Sequence, residues 1–514
     1  MRVLNTDVVI VGAGPTGLML AAELRLAGVR PLVLERRLQQ HNVPKASGLG
    51  GQIVDLLHYR GALEPIMTAS GGFHPAARFP FGGVHLDFTQ LMDPPMRAMP
   101  LAQARLEELL AERAGALGAE IQRGHEVLGF TQDAESVTAE VRGPDGEYRV
   151  TARYLVACDG GRSRIRELAG ISFDGTTYPE INRFATVTVG EAVTVLDNGD
   201  LDVPGLGTVH AGFTRTERGL FAFGTAIPGE PISVFTTEAE SAADDYNTDE
   251  PMTLDEIRDS IRRVLGVELP VENPTRLSRY IFQARQADRY RAGRVLVAGD
   301  AAHQFPATGV ALNAGMLDTV NLVWKLGAEI QGWAPAGLLD TYHEERHYAG
   351  ARTLVHTQAQ VALRRGQDAA ADALRTVFQE MVADEPAARR LGSWIAGTNI
   401  RYALPNPNEH ALTGTFAPDL ALHTEAGTTS VAELMHPARP ILLDLADSAE
   451  LREAARAWEP RVEIVTAKTA DRPADALLIR PDACIAWAAT IDEPAETAAA
   501  ERREALAHWF GAPL

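Results

Sequence analysis

Three short motifs in this sequence carry residue types whose spacing could do chemistry. The first is GAGPTG, with Gly12, Gly14 and Gly17 in a GxGxxG spacing and Glu35 standing 18 residues after Gly17. A glycine at the first position permits a tight turn. The second lets a pyrophosphate approach the backbone, and the third lets a helix pack on a strand. An acid at the position of Glu35 would accept from a ribose 2′-hydroxyl, which disfavours a 2′-phosphorylated nucleotide there. The motif alone leaves FAD and NAD both open.

Its context strengthens the reading. The apolar run DVVIV (7–11) predicts a buried strand, LMLAAELRLAG (18–28) a helix ending at Gly28, and PLVL (31–34) a second strand. Two further motifs follow strand-like runs. RYLVACDGGRSRIR (153–166) delivers Asp159-Gly160, with Ser163 and Arg166 just beyond. RVLVAGDAAHQFPATGVALN (294–313) delivers Gly299-Asp300 into a loop, with a helix expected from Ala314. Both acids would sit at strand C-termini, where open α/β sheets bind ligands.

With these three motifs the sequence resembles the group A flavoprotein monooxygenases of the para-hydroxybenzoate hydroxylase and phenol hydroxylase type. Within them it is most similar to bacterial polyketide-tailoring and antibiotic-modifying hydroxylases. The resemblance implies a tightly bound, non-covalent FAD. Gly12, Gly14, Thr16 and Gly17 would contact its pyrophosphate, Glu35 the adenosine ribose, and Arg36 the adenine edge. Gln103, in QARLEELL, would face the FAD linker, and Val127, in GHEVLGF, would meet adenine through its backbone. Asp159 belongs to the segment implicated in FAD and NAD(P)H binding. Gly299 and Asp300 would hold the ribityl chain. Pro306, Gly309, Leu312 and Asn313 would frame the isoalloxazine.

The same resemblance implies NADPH or NADH as transient reductant and insertion of one oxygen atom from O2 through a flavin hydroperoxide. The expected substrate is a bulky aromatic, most naturally a polycyclic polyketide or similar phenolic natural product. Baeyer–Villiger oxygenation of a ketone or quinone is the alternative within the scaffold. A non-oxygenating FAD protein that binds an aromatic ligand is the alternative outside it. Two departures bear on the choice. KASGLGGQ (45–52) carries Lys45 and Gln52 where the family usually has arginines, and a lysine lacks bidentate geometry. The loop from Pro306 to Asn313 holds one glycine, Gly309, where the family has several. No catalytic acid or base is assigned; His74, His85 and His210 fall in segments expected near substrate.

The elements that must position these residues give an α/β chain. A Rossmann-like FAD-binding domain (1–175 and, with helices, 281–395) is expected to carry an inserted antiparallel-sheet substrate domain (176–280). A C-terminal domain (396–514) resembles the thioredoxin-like domain of the phenol hydroxylase branch, without a CxxC pair. Residues 250–266 and 336–390 read as helical, as do 448–457 and 490–509. His343-Glu344-Glu345-Arg346-His347 matches HExxH formally, but no downstream third ligand accompanies it. It reads as a solvated helix face, and no metal is expected.

With 514 residues, two or three domains are expected. The formal charge of −20 disfavours nucleic acid and anionic membrane surfaces as partners. Only Lys45, Lys325 and Lys468 among 48 basic residues are lysine. Two cysteines, Cys158 and Cys484, make no disulfide framework and fit a reducing cytoplasm. No apolar run of about 18 residues predicts a spanning helix, and the first residues do not read as a signal peptide. A monomer or homodimer is expected.

Overall fold

The computed structural model describes residues 3–40, 46, 48–72, 74–75, 78–89, 91–224, 226–239, 251–306, 309–366, 368–404, 410–492 and 495–513. Short, wholly apolar runs build its first sheet. Strand β1 (Val8–Val11) is buried along its whole length and leads through the glycine loop into helix α1 (Pro15–Leu26) and strand β2 (Pro31–Glu35). Helices α2 (Gln52–Tyr59) and α3 (Gln103–Ala116) precede β3 (Glu120–Arg123), and a three-stranded meander separates it from β4 (Tyr154–Ala157).

The next strand, β5 (Phe173–Val189), begins a second sheet with β6 (Gly212–Thr216), β7 (Gly219–Phe223) and β8 (Ile232–Ala239). Helix α4 (Leu254–Leu265) is strongly amphipathic and lays its apolar stripe on that sheet. Strand β9 (Val271–Ala287) then returns the chain to the first sheet at β10 (Val295–Val297). β5 and β9 each run 17 residues without a break. Four helices follow: α5 (Ala311–Gln331), α6 (Thr341–Arg365), α7 (Ala369–Val382) and α8 (Glu385–Ala396). The last layer consists of β11 (Ile441–Asp444), α9 (Ala449–Ala455), β12 (Glu463–Thr466), β13 (Ala476–Ile479), β14 (Ile485–Ala489) and α10 (Ala495–Phe510).

The first sheet has the order β10-β4-β1-β2-β3, all parallel, with a short antiparallel edge at Arg291–Ala292. From β1 the chain winds outward through β2 and β3, then returns to the other side for β4 and β10. The switch point therefore lies between β1 and β4, where a doubly wound sheet opens a crevice for ligand. The second sheet is antiparallel in the order β6-β7-β8-β5-β9, extended by His303–Gln304, which pair with Arg285 and Gln286. The third has the order β12-β11-β13-β14, parallel only between β11 and β12.

The C-terminal layer is fastened to the rest by buried charges. Tyr59 Oη donates to Ala417 O (2.8 Å), and Arg60 binds Glu23 (2.8 Å) and donates to the carbonyls of Met435 and Pro481. Glu345 of α6 accepts from both terminal nitrogens of Arg480 (2.7 Å each), from Lys325 Nζ (2.8 Å) and from Asn321 (2.6 Å). Burial alone would raise the Glu345 pKa. The facing cations Arg480 and Lys325 more than cancel this and hold it far below the carboxylate range.

The expected solvated face at 343–347 is thereby overturned at its centre: Glu345 and Arg346 are buried, Glu344 stays exposed, and the rings of His343 and His347 lie tilted to each other at 5.0 Å and edge-on to Tyr290. A charge in a sequence looks solvated; here the countercharges of Glu345 arrive from Lys325 of α5 and from Arg480, just beyond β13. Among the described residues no group of three or more metal-binding side chains exists.

Candidate functional site

Steric necessity explains two of the three loop glycines. Gly12 has φ +106°, and a Cβ there would lie 2.4 Å from Cys158 O; a Cβ on Gly17 would lie 2.0 Å from Gly12 O. Those positions serve strand–helix packing. A Cβ on Gly14 would meet nothing within 4 Å, so its face is open. Gly14 also caps α1, no side chain caps the helix, and Pro15 follows at its first turn. The uncapped amides and the helix dipole therefore face open space suited to an anion.

Around this loop stand the other first-motif residues. Glu35 ends β2, and its two carboxylate oxygens accept from the Ala13 and Arg37 amides at 2.9 Å each. Those bonds fix the carboxylate and leave lone pairs for hydroxyl donors. Arg36 is exposed beside it. The His125 amide donates to Glu35 O (2.9 Å), and two residues on, Val127 starts a bulge in the meander, so its backbone leaves the regular ladder near this corner. Gln103 opens α3 and accepts from the Ala46 amide (3.3 Å). Thr16 stands in the first turn of α1. Its hydroxyl fills the space a Cβ on Gly299 (2.6 Å) or Gly315 (2.8 Å) would need, so its side chain packs the loop against the Gly299 turn.

Asp159 follows β4. One oxygen accepts from the Ile165 amide (3.3 Å); Oδ1 is buried without a partner among the described residues, and burial raises the carboxyl pKa. Gly160 (φ +90°) presents an open backbone face. Arg166 ties this turn to the next, donating to the carbonyls of Gly161 and Ala301 at 3.1 Å each.

Gly299 (φ +63°) and Asp300 form a short 3-10 turn after β10, with Asp300 exposed. The turn is pinned by a residue the sequence reading missed. Asp318, fully buried in α5, accepts from the Gly299 amide (3.0 Å), His303 Nε2 (2.8 Å) and Arg346 Nε (2.7 Å). Burial would raise its pKa, but His303 and Arg346 outweigh that and lower it. Arg346 also donates to Tyr402 Oη (2.9 Å) and Ala314 O (3.2 Å). The Tyr342, Glu345, Arg346 run on α6 was the available signal, since all three prove buried.

Helix α5 begins at Ala311, three residues before the expected start, so Leu312 and Asn313 stand in its first turn. Asn313 Nδ2 donates to Gly309 O (2.8 Å), and this side-chain bond closes the turn that starts the helix early. Asn313 Oδ1 is buried without a partner among the described residues. Pro306 is buried and Gly309 (φ +93°) exposed and open. Lys45 lies outside the described residues. Gln52 is buried at the start of α2 and lines a small cavity of about 30 Å³ with Arg346, Tyr402 and Asp482, on the C-terminal-layer side. Of the histidines, His85 is exposed with its ring 6.4 Å from Phe213, His210 is exposed and bonded to Asp200 (2.7 Å), and the His74 side chain is outside the described set.

Open backbone at Gly14 and Gly160, uncapped helix starts and two orphaned buried acceptors, Asp159 Oδ1 and Asn313 Oδ1, thus gather at the C-terminal ends of β1, β4 and β10. Unpaired buried polar atoms of a native fold call for a partner. An extended dinucleotide with a pyrophosphate and several donors fits this set. The fold and site define a dinucleotide-binding α/β protein.

Comparison with known proteins specifies it. Residues 5–357 match the FAD binding domain family, and residues 410–513 match the C-terminal domain of aromatic-ring hydroxylases. The chain belongs to this family of FAD-dependent aromatic-ring monooxygenases. It is 40% identical over 515 residues to a 12-dehydrotetracycline 5-monooxygenase/anhydrotetracycline 6-monooxygenase of Streptomyces rimosus, covering 99% of each chain. It is 37% identical to a dialkyldecalin synthase of Streptomyces rugosporus, again over 99% of each. Among solved structures it resembles the OxyS anhydrotetracycline hydroxylase of Streptomyces rimosus with a TM-score of 0.86 and 38% identity, over 99% of this chain and 100% of that one.

Proposed function

We propose that this flavin-dependent monooxygenase hydroxylates a polycyclic phenolic polyketide or similar natural product, with NAD(P)H as reductant. The observation that carries the reading is the pairing of the nucleotide crevice with an aromatic-rich sheet. His303–Gln304, directly after the Gly299–Asp300 turn, form the edge strand beside β9. FAD supplies the redox chemistry when bound; the chain supplies position and water exclusion. Gly12, Gly14, Gly17 and the α1 amides would hold its pyrophosphate, and Glu35, with Arg36, Gln103 and Val127 nearby, the adenosine side. Asp159, Gly299 and Asp300 would line its middle. Pro306, Gly309, Leu312 and Asn313 would frame the ring, with the start of α5 favouring negative charge at that edge.

The domain limits proposed are 1–175, 176–280, 281–395 and 396–514. The C-terminal sheet order, with one parallel pair at an edge followed by two antiparallel strands, supports a thioredoxin-like layer. Cys484 is buried, and burial raises its thiol pKa, which suits packing rather than redox work. Among the described residues no helix is long and apolar enough to cross a membrane, and cytoplasmic residence is proposed.

A relative named for decalin synthesis supports a second reading, in which the chain binds FAD and an aromatic ligand without inserting oxygen. Anaerobic stopped-flow reduction by NADPH, with and without anhydrotetracycline and polycyclic quinones, tests the first. Ligand-stimulated reduction followed by one oxygen-18 atom in a product hydroxyl is expected. Label in an ester or lactone would replace hydroxylation by Baeyer–Villiger insertion. Unlabelled product would favour the second reading.

A further inference from the structure

Strand register sorts the second sheet into two faces, because directly paired residues share a face and neighbours along a strand alternate. Arg183, Thr236 and Val234 face α4, as the Thr236–Ser260 bond (2.6 Å) shows. Arg215 pairs with Leu220, Leu220 with Thr237, and Asn182 with both Thr237 and Tyr280. This row, with Phe235 and Arg276, therefore lies on the opposite face, toward α6.

From α6, Arg364 reaches over that face. Its guanidinium carbon lies 5.4 Å from the Phe235 ring centroid and 5.1 Å from that of Phe282. The residue as a whole is half-buried, yet its Nε and Nη1 are sealed from solvent and have no hydrogen-bond partner among the described residues. Arg215 Nε and Nη2 share that condition. The two like charges repel each other, and burial lowers both pKa values. Carboxylates nearby are committed elsewhere: Glu180 to Arg365 (2.6 Å) and Asp372 to Arg375. Buried charges are ordinarily paired, and two arginines with sealed, unbonded nitrogens on one face are costly until an anion arrives.

The geometry points to an anion subsite: Arg364, held over the rings of Phe235 and Phe282 and supported by Arg215, anchors an ionised oxygen on the substrate's aromatic system. This rests on the aromatic-substrate reading above. The rings cover the guanidinium beside its sealed Nε and Nη1, and Nη2, which is not sealed, is the N–H left to meet a carboxylate, acidic phenolate or enolate. Phe282 lies four residues from Gln286, where β9 meets the edge strand after the Gly299–Asp300 turn. That is about 13 Å of strand, the reach of a multi-ring substrate rather than of a single ring.

The test uses the FAD-loaded full chain with anthraquinone-2-carboxylate and its methyl ester as probes, titrated against flavin absorbance without NADPH. The wild type should bind the carboxylate at least about tenfold tighter than the ester. Arg364→Met should bring the two within about twofold while retaining FAD and ester affinity, and Arg364→Lys should keep part of the preference. Equal binding by the wild type, or a preference that survives Arg364→Met, overturns the subsite. Since no turnover is involved, oxygen insertion can fail while the carboxylate preference stands, and that result would refute only the reaction. An enzyme that turns over without any carboxylate preference would refute only the subsite.

Discussion

Replacing Asp318 by asparagine tests whether the nucleotide crevice is held from behind. The carboxylate accepts from three donors, the Gly299 amide (3.0 Å), His303 Nε2 (2.8 Å) and Arg346 Nε (2.7 Å), and is fully buried. Asparagine keeps the shape but removes the charge and turns an N–H₂ toward a donor. Arg346, 5% exposed, is then left without its countercharge. Breaking a buried pair from one side costs about 3–5 kcal/mol. Because the Gly299 turn loses its anchor, FAD affinity should also fall at least about tenfold, or 1.4 kcal/mol. Urea unfolding followed by tryptophan fluorescence, with and without excess FAD, reads both effects. The double variant with Arg346→Met should cost about 2 kcal/mol less than the sum of the singles, since no orphaned charge remains. A midpoint unchanged by Asp318→Asn, or strict additivity in the cycle, would refute the argument.

Gly17→Ala forces a Cβ to within 2.0 Å of Gly12 O and should destabilise the FAD-free chain, whereas Gly14→Ala meets nothing within 4 Å and should lower only FAD affinity. Thermal unfolding without FAD, beside FAD titration, separates the two. Burial lowers the His356 pKa from 6.5 to about 4, so the unfolded chain takes up its proton first as pH falls. Stability present above pH 6.5 should then decline toward pH 4 by up to about 3 kcal/mol, and His356→Gln should flatten that slope in urea melts. Arg480→Met strips Glu345 of its bidentate partner and should cost about 3–5 kcal/mol in urea melts, part of it recovered by adding Glu345→Gln; tryptic cleavage after Arg401, next to the Tyr402 ring that Arg480 faces, should accelerate in the single variant.

The glycine loop, its two strands and Glu35 were legible in the sequence because the constraint is local. A helix packed this closely on a strand admits no Cβ at Gly12 or Gly17, and the acid must follow the next strand. The same locality made Asp159-Gly160 and Gly299-Asp300 readable as strand ends. The amphipathic period of 254–265 likewise declared its buried stripe. The start of α5 was misjudged by three residues because a side-chain bond from Asn313 to Gly309 O, not periodicity, decides it.

Tertiary structure alone decided what the charges do. Asp318 meets Arg346 across 28 residues and Glu345 meets Arg480 across 135, separations that leave no periodic trace. Helical spacing assigns such residues to a solvated face, since nothing in one strand of sequence announces the countercharge that permits burial. The converse holds for Arg215 and Arg364, which belong to none of the sequence motifs. Only sheet register and the packing of α6 show them on one face, with buried nitrogens that no acid among the described residues hydrogen-bonds. Local sterics write the nucleotide loop into the sequence; long-range pairing of charge, present or missing, is settled only when the layers meet.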